Sequence, residues 1–152
     1  VKGQTVADSF FAYQRRRLGI LLAWGLASML AGSPALLIRD PLWRQLGVQA
    51  CSWGAIDALL AFFGRRGALR KQALRAQGQL SASDELREAR RFRAILLLNA
   101  GLDVLYIAGG VALARRQWRR RDRRGMALGI IPQGVFLLLY DSLLACEVGR
   151  RL

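Results

Sequence analysis

Four long apolar blocks alternate with arginine-rich stretches along this chain. They run from about Leu18 to Ile38, Trp43 to Phe63, Ala94 to Ala114 and Met126 to Glu147. Each is close to the ~20 residues that a helix needs to cross ~30 Å of hydrocarbon. Charges are nearly absent inside the blocks and crowded between them, the pattern of a polytopic membrane protein. The connections favour neighbouring antiparallel helices. The pattern therefore predicts an all-α fold, an up-down-up-down bundle of four transmembrane helices.

The connections add detail. Arg39-Asp40-Pro41 has room only for a turn, and Pro34 is placed to kink or end the first span. Ala23, Ala27, Ala31 and Ala35 recur every fourth residue and predict a flat seam for close packing. Gly125 and Gly129 form a second small-residue pair at the start of the fourth span. Residues 64–93 remain helix-compatible on both sides of Gly78, a candidate C-terminal cap, and Ser81 with Asp84 has the spacing of a capping box. Helices 2 and 3 are thus expected to leave the membrane as a basic hairpin, each arm projecting about 15–20 Å. Across it, Arg70, Lys71 and Arg75 are placed to face Glu85 and Glu88.

Residues 1–17 end in Arg15, Arg16 and Arg17 beside Phe10, Phe11 and Tyr13, which suggests a short helix lying at the headgroups. Residues 148–152 form a basic tail. The first apolar block is too long for a signal-peptide core and is read as retained. Trp43 and Trp118 fall at span ends, where interfacial indoles belong. Trp24 and Trp53, each followed by glycine, read as packing residues.

Charge then orients the bundle. The chain has 152 residues, net charge +14 and no histidine. Of its 24 basic residues, 15 lie on the side of the termini and hairpin, which the positive-inside rule places in the cytoplasm. Seven of the remaining nine sit in the 115–124 loop, against that rule, and imply something anionic over it. Arg15, Arg16, Arg17, Arg115, Arg116, Trp118, Arg119, Arg120 and Arg121 are the candidate lipid or partner contacts, with anionic lipids the expected ligands. The basic runs abut spans and carry no reading motif, so nucleic acid is not an expected partner. Cys51 and Cys146 lie in different blocks and read as buried small residues without a disulfide. With no histidine and no cysteine pair, neither a metal site nor another cofactor is expected.

The chemistry lies inside the spans. Asp57, Asp103 and Asp141 fall on three helices at about 9–14 Å from one surface. Asn99 shares a face with Asp103 and Trp53 with Asp57, while Tyr106 and Tyr140 lie nearby in sequence. Apart from Arg44 at the very start of the second, no basic residue occurs within a span to neutralise the acids; Arg17 and Arg93 at the interface are the candidates to reach inward. Such a layer can fasten helices through protonated or hydrogen-bonded carboxyls, face a partner, lipid or pigment, or pass protons or cations. No histidine is available for catalysis, and the Gly-x-Gly-Asp pattern of intramembrane aspartyl proteases is absent.

The stretches WGAIDALLAFFG, LNAGLDVLYIAGG and PQGVFLLLYD resemble an uncharacterised family of bacterial four-helix integral membrane proteins, a domain of unknown function, over residues 10–147. The resemblance implies the four-span topology and no activity. The expectation is a non-enzymatic protein of the bacterial inner membrane, an accessory or scaffolding subunit of a larger complex that contacts other subunits or itself. The alternative is a small oligomeric proton- or cation-conducting protein that uses the three aspartates.

Overall fold

The structure, a computed structural model, describes residues 9–152. The described residues form four helices, α1 (Phe10–Gly32), α2 (Pro41–Ala76), α3 (Ala82–Gln117) and α4 (Arg121–Gly149), with a 3-10 turn at Pro34–Leu37. All four are long and apolar enough to cross a membrane. At 36 residues each, α2 and α3 are about 54 Å long and exceed the ~30 Å hydrocarbon thickness.

Local signals set the ends. Ser9 accepts the Ala12 N–H and starts α1, and Pro34 opens the 3-10 turn that follows it. Asp40 accepts the Leu42 N–H, with Pro41 in the first turn of α2. Past Ala76, Gly78 takes φ +71°, the left-handed conformation that reverses the chain after a helix. Ser81 and Asp84 make the reciprocal capping box that starts α3.

Glycines decide which helices approach closely. The inward stripe of α1 is Leu18, Leu21, Gly25, Ser28 and Gly32, all buried. This corrects the expected alanine seam at Ala23, Ala27 and Ala31, which are exposed; Ala35, half-buried, does pack against Gly47. An alanine methyl satisfies lipid and a neighbouring helix equally, whereas only glycine admits backbone contact. Gly25 meets Gly54, and Gly32 meets Gly47, so α1 and α2 run in opposite directions. Gly110 against Ile131 and Gly134 against Ile107 pair α3 with α4 in the same antiparallel sense. Gly125 and Gly129 lie against Leu42 and Gln49, which brings α4 alongside α2 in parallel.

Two seams, α1–α4 and α2–α3, close through side chains instead. In the first, Trp24 stacks on Phe136 at 3.8 Å between ring centroids, and Phe136 on Tyr140 at 6.0 Å. The second is bridged by Trp53 and Tyr106 and, at the hairpin, by Lys71–Glu88 at 2.6 Å and Arg75–Glu85 at 3.1 Å. Arg70 has no acidic partner among the described residues, unlike the other two predicted hairpin cations.

The expected interfacial helix is also corrected in its described part. Residues 10–17 continue α1, and Phe11 is fully buried with Phe10 among Ala89, Leu96, Leu144, Ala145 and Val148. The Phe10 N–H donates to Glu85 Oε1 at 2.5 Å, binding the start of α1 to the hairpin. Residues 1–8 of the predicted segment lie outside the described residues. Cys146 is exposed and Cys51 half-buried, so neither is the buried residue expected; both are free thiols.

Candidate functional site

Each aspartate sits on the inward stripe of its helix. On α2 the buried positions run Gly47, Gly54, Asp57, Ala61; on α3, Leu96, Ala100, Asp103, Gly110; on α4, Gly134, Asp141, Ala145, Val148. The helical periods of three, four and seven residues carry the acids inward with their small neighbours. The side chains converge on one cleft of about 200 Å³ in the α2–α3 seam. Leu21 of α1 and Leu137 of α4 also line it. Ile56, Leu60, Leu102 and Tyr106, all substantially exposed, stand along its outer edge. Trp53 meets Tyr106 edge to face there, with centroids 5.1 Å apart.

The carboxylates are almost wholly enclosed: Asp57 is 2%, Asp103 4% and Asp141 6% exposed. Asn99, one turn before Asp103, also lines the cleft. Asp57 Oδ2 and Asp103 Oδ2 have no hydrogen-bond partner. Buried polar atoms are otherwise nearly always paired, and an unpaired acceptor in apolar surroundings costs about 1–3 kcal/mol. No ion pair reaches the three acids among the described residues. Arg17 is bound to Glu147 at 2.7 Å, and Arg93 donates to the Ala145 carbonyl at 3.3 Å. Neither reaches inward as expected.

Tyr140 is the predicted layer member that lies elsewhere. It turns into the α1–α4 seam, where its hydroxyl donates to the Arg17 carbonyl at 3.0 Å. That seam holds a polar group which the sequence reading passed over. Gln133 is 6% exposed, accepts from Trp24 Nε1 at 2.8 Å and donates to Ser28 Oγ at 3.2 Å. An amide in an apolar span was the available signal.

The candidate contact arginines divide between the two ends of the molecule. At the hairpin end, Arg15 is half-buried with an unpaired Nε, Arg16 is exposed, and Arg17 holds Glu147. At the other end Arg121 pairs with Asp40, Arg120 and Arg123 flank Asp122, and the guanidinium of Arg124 lies over Trp118. Arg115, Arg116 and Arg119 are exposed and make no ion pair among the described residues.

Residues 20–142 match DUF6992, a family of unknown function. The chain belongs to that family. No curated protein and no solved structure matches it. The DUF6992 stretch contains every residue lining the acidic cleft, together with Trp24, Ser28 and Gln133 of the opposite seam. It leaves out Phe10, Phe11 and Glu147, which bind the two ends of the chain at the hairpin. Among the described residues no three of His, Cys, Asp or Glu are grouped so as to hold a metal ion.

Proposed function

We propose that this multi-pass membrane protein is non-enzymatic and takes up protons at the Asp57–Asp103–Asp141 cleft, conducting them as a small oligomer. The observation that carries the reading is the pair of enclosed carboxylate oxygens, on Asp57 and Asp103, that face the cleft without a partner. Interhelical fasteners would have used those lone pairs. A carboxyl in such surroundings is stabilised by a proton or a cation, and acids on three helices around one space can exchange one. Among the described residues the carboxylates are not grouped as a metal ion's ligand set, and the uptake proposed is accordingly that of protons. The bundle we propose is up-down-up-down in a bacterial inner membrane, and the basic excess at the hairpin end supports placing both termini and the hairpin in the cytoplasm.

The test is proton flux into proteoliposomes under a pH gradient. Wild-type protein should carry flux, and Asp103→Asn should abolish it while remaining folded, because the amide still hydrogen-bonds but cannot exchange a proton. Wild-type-like flux in that variant, or none in the parent, overturns the reading.

A second reading draws on the other end of the bundle. Arg115, Arg116 and Arg119 have no acidic partner within the described chain, which suits an accessory or scaffolding subunit whose neighbour supplies the anions. Native mass spectrometry after gentle extraction tests it: stoichiometric additional polypeptides support that role, and a bare homo-oligomer opposes it.

A further inference from the structure

We propose that Arg15, Arg65 and Arg66 form a binding site for the phosphate of one anionic phospholipid in the groove between α1 and α2. The three side chains converge with Leu22, Phe62 and Leu69 on a pocket of about 320 Å³. None of the three guanidinium groups makes an ion pair with the described residues, although carboxylates hold Arg17, Lys71 and Arg75 nearby. Arg15 Nε is buried with no hydrogen-bond partner, so a donor is already taken from water and left open. Such a donor is best satisfied by an anionic oxygen, and guanidinium groups match phosphate with paired N–H bonds.

The backbone makes room for this grouping. Gly19 has no side chain where Arg65 crosses α1: a Cβ there would stand 3.3 Å from Arg65 Nη1. Arg66 lies over the Phe62 ring, 5.6 Å from its centroid, and so is drawn along the helix toward the pocket. Leu18 meets Gly64, which sets the last polar turn before the apolar part of α1 level with the first polar turn after that of α2. The pocket therefore lies at headgroup depth. Below it Phe62, Leu59 and Leu26 are exposed and continue an apolar track along both helices. A free phosphate would leave that track unused, whereas an acyl chain fills it.

The experiment is native mass spectrometry of the full protein in detergent, titrated with phosphatidylglycerol and, separately, phosphatidylcholine. The first phosphatidylglycerol should bind at least about tenfold more weakly to Arg15→Gln/Arg65→Gln/Arg66→Gln. It should bind unchanged to Arg39→Gln/Arg44→Gln/Arg123→Gln, which removes equal charge at the other end. Arg65→Gln alone should show a smaller loss in the same direction, and it serves if the triple variant does not fold. Equal losses in both triple variants reduce the effect to net charge and overturn the proposal, as does equal binding of phosphatidylcholine. Displacement of the lipid by inorganic phosphate would make the site one for a soluble anion, and that too overturns it.

Discussion

Gly25 and Gly54 face each other across α1 and α2 so closely that each blocks a side chain on the other. A Cβ on Gly25 would stand 2.6 Å from the Gly54 carbonyl oxygen, and one on Gly54 2.5 Å from that of Gly25. The obstacle is backbone, which cannot rotate away. Gly25→Ala and Gly54→Ala should each destabilise the bundle by about 1–3 kcal/mol, as overpacking does. Gly101→Ala is the control, since its Cβ would meet nothing within 4 Å. Unfolding by denaturing detergent, followed by circular dichroism, should separate the three. Equal stability of all of them would mean that α1 and α2 do not touch here.

Phe11 tests whether the start of α1 belongs to the bundle. It is fully buried at the hairpin end, whereas Phe63 is 65% exposed on the lipid-facing side of α2. Phe11→Ala should cost about 3–5 kcal/mol, the range for an enclosed aromatic. Phe63→Ala should cost far less. A mild effect at Phe11 would return residues 10–17 to the headgroup surface.

The Trp24–Gln133–Ser28 chain should act as one unit. Replacing Gln133 with Leu leaves the Trp24 indole N–H and the Ser28 hydroxyl without that partner, at a cost of about 0.5–2 kcal/mol. With Trp24→Phe already in place, the same change should cost less. A double-mutant cycle on unfolding free energies measures the difference; strict additivity would show that the amide contributes nothing through the indole.

Asp40 gives the loop end a pH dependence. The Arg121 guanidinium, and then the Leu42 N–H, hold its carboxyl below the ordinary carboxylate range. A group whose pKa is lower folded than unfolded stabilises the fold above the unfolded value of about 3.9, and this is lost as pH falls through the folded value. Asp40→Asn should therefore melt below the parent protein at neutral pH, and the two curves should converge as the pH drops beneath about 4. A difference that persists unchanged into acid would show that the charge of Asp40 is not what stabilises this end, since asparagine caps a helix as well as aspartate does.

Much of the architecture was legible from the chain. The four helices, the Gly78 reversal, the Ser81–Asp84 capping box and the small-residue contact at Gly125 and Gly129 follow from local chemistry that a bilayer does not alter. Asp57, Asp103 and Asp141 could be set at one depth by counting residues, and they do line one cleft. The faces of the apolar helices were harder to read. In a soluble protein, hydrophobicity separates the inside from the outside; here both sides of α1 are apolar, and Ala23, Ala27 and Ala31 carry no mark of their outward position. The same ambiguity hid the direction of Tyr140, which depends on the rotation of α4. Arg17 and Arg93 found partners at the hairpin end, Glu147 and the Ala145 carbonyl, before any long reach inward was needed.

The unequal seams have a mechanical consequence. Along α2 and α3 the chain resembles a pair of tweezers, hinged at Gly78 and held near the hinge by Lys71–Glu88 and Arg75–Glu85. The glycine contacts fasten each blade to its own neighbour, α2 to α1 and α3 to α4. Spreading the blades at Trp53 and Tyr106 therefore leaves those two contacts intact and works against the α2–α4 contact at Leu42 and Gln49. The aspartates lie between hinge and tip, where a small angular change alters the width of the gap without unseating either pair of helices.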